Sequence, residues 1–230
     1  KNSIQKNFGI EVTAIASRRE LKKIDLRFST TNFFNDAERL IDFDNYDILV
    51  ELIGGDEGIS KKIIFDALKK GKNVVTANKA LVSKHWQKIN EITKKNKNEI
   101  KYEAAVAGGI PIIKVLNDFL ISNKIKKIYG ILNGTSNFIL TNMLNTNSKF
   151  EKILKDAQQL GYAEADPSFD VDGVDTSHKL ALLSSLAFNI NCDLKSIYTE
   201  GIRNIDLTDL LYANELGYKV KLLGIAQIRQ

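Results

Sequence analysis

Short apolar runs recur along the first half of the chain, each followed by a stretch with helical spacing. Residues 10–16 (IEVTAIA), 47–53 (DILVELI), 73–77 (NVVTA) and 100–105 (IKYEAA) predict buried strands. Between them, residues 35–42, 59–70 and 80–95 predict helices. Gly71 stands where a helix-terminating glycine is expected. Strands alternating with helices predict a parallel, doubly wound sheet, whose ligands lie beyond the carboxyl ends of the strands. The residues there are Ser17, Arg18 and Arg19, then Gly54 and Gly55, then Thr76 to Lys79, then Val106 to Gly109.

The second half loses this rhythm. Pro111 predicts the first position of a helix over PIIKVLNDFL. The run KIKKIYGILN predicts a strand, and GTSNFILTNML a helix capped at Thr135 or Ser136. Helices follow over 149–159, 175–188 and near 206–214, then a last strand-like run, KVKLLGIAQI. The fold class is α/β: an incomplete Rossmann-like parallel-sheet domain over residues 1–108, then an α+β domain over 109–230. The Gly-rich phosphate turn of such a sheet belongs before residue 10, so the first domain is expected to lack it.

Composition narrows the class. Among 230 residues, 43% are hydrophobic, which is ample for a core. No apolar run is long enough to span a membrane and no signal peptide is visible. The single cysteine, Cys192, excludes an internal disulfide and fits a reducing, cytoplasmic compartment. The net charge of +5 comes largely from dispersed lysines, as over Lys84 to Lys97, and no basic stripe interleaves with aromatics, so nucleic acid is not an expected partner. The chain begins with Lys1 and its one methionine is Met143, so it is expected to be a piece of a longer or processed product.

Charge concentrates in Leu160 to Phe188, LGYAEADPSFDVDGVDTSHKLALLSSLAF. Its polar half carries Glu164, Asp166, Asp170, Asp172 and Asp175, stiffened by Pro167, and its second half is an apolar helix. Asp175 and Lys179 are four apart and share one helix face. An EF-hand is excluded: with Gly173 at the sixth position, Lys179 falls where glutamate is required. Two readings stay open from residues alone. One is a solvated loop with a surface ion pair. The other is a site for a small molecule carrying an ammonium, with Lys179 as the reactive amine. Arg18 and Arg19 are likewise either exposed loop residues or partners of a 2′-phosphate. Gly108-Gly109 is either a hinge or a turn that points carbonyls at a hard cation.

Four stretches, GKNVVTANKALVS, YEAAVAGGIPII, GILNGTSNFILTNM and LGYAEADPSFDVDGVDTSHKLAL, together resemble homoserine dehydrogenase, in order and with its spacing, from about residue 10 onward. The resemblance implies NAD(P)H-dependent, reversible reduction of aspartate semialdehyde to homoserine, in threonine and methionine biosynthesis, by a homodimer formed through the second domain. It implies Lys179 as proton donor and Lys79 as a second active-site lysine near the nicotinamide. It implies Glu164 and Asp175 as substrate ligands, with Asp170 beside them, and Gly161 on the cofactor side, where Arg18, Gly54 and Thr76 are expected from their place at the strand ends. Glu103, with the carbonyls of Val106, Gly108 and Ile110, matches the family's monovalent cation (sodium) site. The family's phosphate turn and its return segment past Gln230 are not in the sequence. Neither His85, in a lysine-rich helix, nor His178, turned about 100° from Lys179, suits the proton transfer. Two alternatives accompany this reading: another Rossmann oxidoreductase, or a catalytically inactive amino-acid-binding or dimerisation module.

Overall fold

A computed structural model describes residues 8–18 and 31–229; Arg19 lies outside them. The chain packs as two compact units, Lys1–Tyr102 and Glu103–Gln230.

In the first unit, β1 (Ala14–Ala16) pairs in parallel with β2 (Asn32–Phe34). A second parallel sheet runs in the order β3 (Ile48–Glu51), β4 (Asn73–Thr76), β5 (Ile100–Lys101). The helices are α1 (Arg39–Asp42), α2 (Ile59–Lys69) and α3 (Lys79–Asn96). Helix α2 buries Ser60, Ile63, Ile64, Ala67 and Leu68, the one-face spacing of an amphipathic helix. That face packs with Leu49, Val74, Leu81 and Ile89. Gly71 takes φ 77° after α2, a left-handed conformation that glycine adopts without strain. Strand β2 carries no sequence signature, because NFF is too short and too polar at its start to show a period.

In the second unit, α4 (Ile112–Lys114) runs into a π-helical turn at Val115–Phe119. Pro111 caps it rather than occupying its first turn, since its ψ of 52° is not helical. Then come β6 (Lys127–Gly130), α5 (Gly134–Thr146), α6 (Phe150–Gln159), α7 (Ser168–Val171), α8 (Val174–Phe188), α9 (Leu207–Glu215) and β7 (Gly224–Gln227). Strands β6 and β7 pair antiparallel, with Tyr129 opposite Ile225 and Gly130 opposite Gly224. Ile139, Leu140, Met143, Ile153, Ala157, Val171, Ile202 and Leu210 form the core. Helix α8 is buried on most sides, polar residues included. Among the described residues no helix is long and apolar enough to cross a membrane.

Candidate functional site

The acidic stretch does not form one cluster. Asp166 folds back on its own helix start, accepting from Ser168 N (3.0 Å) and Ser168 Oγ (2.6 Å), which holds its carboxyl below the usual range. Asp172 pairs with Arg203, whose Nη2 also donates to Ser168 Oγ (3.0 Å). Glu164 is exposed, and its side chain meets no partner among the described residues. That leaves Asp170 on α7 and Asp175 on α8.

Gly173 makes the turn between these two helices. Its φ is 80°, and a Cβ there would approach Glu200 O to 3.1 Å and Thr199 Cγ2 to 3.2 Å. The turn brings Asp170 and Asp175 to one amide group. Asn133 Nδ2 donates to Asp170 Oδ1 at 2.7 Å and to Asp175 Oδ2 at 2.9 Å. Lys179 Nζ bonds Asp175 Oδ2 at 2.9 Å and donates to the Leu132 carbonyl at 2.8 Å. The Asp175 side chain is 5% exposed and that of Lys179 18%. The pair is therefore inside the unit, and the surface ion pair entertained from the sequence is excluded. Asp175 thus meets the lysine, while Asp170 meets only the Asn133 amide among the described residues. His178, next along α8, lays its ring on Phe169 at 5.5 Å.

Asn133 also caps α5, its Oδ1 accepting from Ser136 N at 2.8 Å. The capping role expected of Thr135 or Ser136 belongs to Asn133, the residue with extended backbone before the helix. Thr135 Oγ1 donates instead to Tyr162 O (2.9 Å), and Ser136 Oγ to Asp170 O (2.9 Å). Gly161 is an exposed turn residue with φ 77°.

The first unit gathers polar groups at the carboxyl ends of β3 and β4. Glu51, 1% exposed, accepts from Ile53 N (2.7 Å) and Gly54 N (2.8 Å) with Oε1, and from Thr76 Oγ1 (2.5 Å) with Oε2. Thr76 Oγ1 accepts from Asn78 N, and Asn78 Nδ2 donates to Gly55 O (2.7 Å). Gly54 and Gly55 sit at φ 86° and 83°, with open space where a Cβ of Gly54 would point. Bare backbone at that strand end fits the close approach of a dinucleotide. Lys79 is the first residue of α3, after the Asn78 cap. Arg18 is exposed just past β1.

Glu103 serves a helix start: its carboxylate accepts from Ile113 N (2.8 Å) and Lys114 N (3.0 Å). Val106 is buried, Gly108 has φ 60°, and Ile110 is exposed. Carboxylate and carbonyl oxygens are the donors a hard cation takes, and each Glu103 oxygen keeps a lone pair beyond its N–H bond.

Asn133, Leu132 and Glu51 escaped the sequence reading. The signal for Asn133 was an Asn three residues before the Ser136 amide at a strand-to-helix junction. For Glu51 it was a carboxylate on the same strand face as Leu49 in an otherwise apolar run.

Residues 2–103 match the family described as "Homoserine dehydrogenase, NAD binding domain", and residues 111–230 match "Homoserine dehydrogenase". The homoserine dehydrogenase of Neisseria gonorrhoeae is 47% identical over 195 residues, covering 85% of this chain and 45% of the relative. That of Pseudomonas aeruginosa is 44% identical over 221 residues, 95% of this chain and 50% of the relative. The crystal structure of a homoserine dehydrogenase from Thiobacillus denitrificans superposes with a TM-score of 0.91 at 42% identity, covering 99% of this chain and 54% of that one. A hyperthermophilic archaeal homoserine dehydrogenase in complex with NADPH superposes with a TM-score of 0.73 at 26% identity, covering 91% of this chain and 63% of that one. The chain spans about half the length of the curated relatives it matches.

Proposed function

The chain belongs to the homoserine dehydrogenase family, and from that premise we propose that it reversibly reduces aspartate semialdehyde to homoserine with NAD(P)H. The observation that carries the reading is the buried Asp175, bonded by Lys179 on one side and by Asn133 on the other, with the half-buried Asp170 on the same Asn133 amide. Two carboxylates against one lysine leave a negative charge for a ligand ammonium, beside an amine able to move a proton. When bound, the nicotinamide supplies the hydride. Reduction of the aldehyde carbon leaves an alkoxide, and Lys179 Nζ donates the proton to it; in the reverse direction the neutral amine takes the proton from the hydroxyl. The Leu132 carbonyl and Asp175 fix two of the ammonium's bonds, which leaves the third N–H to aim at substrate. Asp170 and Asp175, with Glu164, hold the substrate's ammonium and hydroxyl.

The first unit acts as the nucleotide domain, its strand ends at Arg18, Gly54 and Thr76, with Lys79 and Gly161, serving the cofactor. Glu103 and the carbonyls of Val106, Gly108 and Ile110 would hold a sodium-like monovalent cation. The single cysteine supports a cytoplasmic setting. A homodimer through the β6–β7 ladder is supported by its exposed Tyr129 and Ile225, with the exposed Ile131 just past β6, an apolar face that calls for a cover; a monomeric mass at micromolar concentration would argue against it. The substrate reading is tested by comparing oxidation of homoserine with that of the same hydroxy acid lacking the amine. Homoserine should be strongly preferred, and equal rates would refute the reading.

A further inference from the structure

Asn133 is 4% exposed, and its side chain is fully committed. Both amide protons go to carboxylates, one to Asp170 and one to Asp175, while Oδ1 takes the Ser136 N–H. The orientation of the amide is dictated chemically: carboxylates need donors and the helix N–H needs an acceptor, so only one flip satisfies all three. Its backbone is fixed as well. Asn137 Nδ2 donates to the Asn133 carbonyl (3.0 Å) and to Leu222 O (3.1 Å), and Asn137 Oδ1 accepts from Leu222 N (3.0 Å).

The two carboxylates depend on Asn133 unequally. Asp175 also has Lys179. Asp170 has Asn133 as the sole partner of its carboxylate among the described residues, and no cation reaches it. A lysine or arginine in place of Asn133 would supply the same donors and cancel the charge. An amide supplies them and leaves the charge in place.

We propose that Asn133 is a positioning residue for the substrate's ammonium: it fixes the Asp170 carboxylate beside Asp175 without neutralising it, and does not itself touch the substrate. The inference rests on the homoserine reading above. It predicts a division of labour. Lys179 keeps its own two anchors when Asn133 is lost, so proton transfer survives better than substrate binding.

Two substitutions test it, Asn133→Ser and Asn133→Asp. Both residue types cap helices about as well as asparagine, so α5 should start normally. Asn133→Ser is too short to bridge both carboxylates, and Asn133→Asp replaces the donors with a third negative charge. The measurements are calorimetric homoserine binding, homoserine KM and kcat, dinucleotide affinity and the melting temperature. Asn133→Ser should weaken homoserine binding and raise KM by roughly a hundredfold, the scale of a misplaced binding group. kcat should fall much less, and dinucleotide affinity should stay the same. Asn133→Asp should bind homoserine more weakly still. An unaltered KM in either variant, or losses in kcat, KM and dinucleotide affinity together with a collapsed melting temperature, would overturn the positioning role. If the unsubstituted protein neither binds nor oxidises homoserine, the functional reading itself fails and the inference falls with it.

Discussion

Glu51→Gln is the most informative change in the first unit, because it alters one atom in a buried site without changing its shape. The wild-type carboxylate accepts three hydrogen bonds, from Ile53 N, Gly54 N and Thr76 Oγ1. Bonds to a charged group contribute about 1.5–3 kcal/mol each, against about 1 kcal/mol for neutral ones. In the variant, the amide oxygen can replace Oε1 and keep both backbone bonds in weaker, neutral form. The amide nitrogen then stands where Oε2 was, facing Thr76 Oγ1. It must donate there, on an oxygen that already accepts from Asn78 N. The Thr76 proton loses its acceptor, and a stranded buried donor costs about 1–3 kcal/mol. Relief of the buried charge offsets part of the sum. The expected net loss is about 2 kcal/mol, or roughly 10 °C in the melting temperature of a unit this size. Trp86, the chain's one tryptophan, packs edge-on against Tyr102 within the same unit (5.5 Å between ring centres), so its fluorescence follows the right transition. Glu51→Leu, which strands all three donors, should be worse. A Trp86 transition that stays put or rises in Glu51→Gln would show that these bonds do not hold the strand ends.

Three further outcomes are expected. If Lys179 is the proton donor proposed above, Lys179→Ala should lower turnover by roughly a hundred- to ten-thousandfold with dinucleotide affinity intact; near-normal steady-state turnover would move that role elsewhere, with Lys79 first to be examined. Gly201→Ala should destabilise the second unit and disorder the Asp170–Asp172 turn, since its Cβ would come within 2.3 Å of Val171 O and 2.5 Å of Asp172 Cα; circular dichroism melting of the variant, if unchanged, contradicts this contact. Bonds from Lys61 and Lys84 draw the Glu57 carboxyl down to about 2 from an ordinary 4.5, so the stability from these pairs is fully present above 4.5 and is lost as the pH falls through about 2; an NMR titration of Glu57 with a midpoint near 4.5 would remove the pairs from solution.

The elements and the site were legible to different degrees, for physical reasons. Helix α2 could be read because its burial is set by its own period, Ile63, Ile64, Ala67 and Leu68 on one face. The Asp175–Lys179 pair could be read because i and i+4 meet on any helix. What brings Asp170 to that pair could not be read locally. It depends on Gly173 passing close to Glu200, and on Asn133, distant in sequence, reaching both acids. The separation of the five carboxylates into different jobs was hidden for the same reason: Arg203 selects Asp172 only once the chain has folded back. A composition of acids announces charge, and only the tertiary partners decide which charges are left over.

The pairing of β6 with β7 has a consequence beyond the sheet itself. A methyl group on Gly224 would stand 2.5 Å from Leu132 Cδ1, so the bare backbone there is the seat into which Leu132 drops. Leu132 carries the carbonyl that grips Lys179, and its neighbour Asn133 carries the amide that grips both acids. A slip of one residue in the ladder would bring Leu223 or Ile225 to that seat and lift the Leu132–Asn133 corner away from the lysine. Strand registration thus works as the gauge for the site: the ladder has one setting at which the corner is home, and glycine marks it.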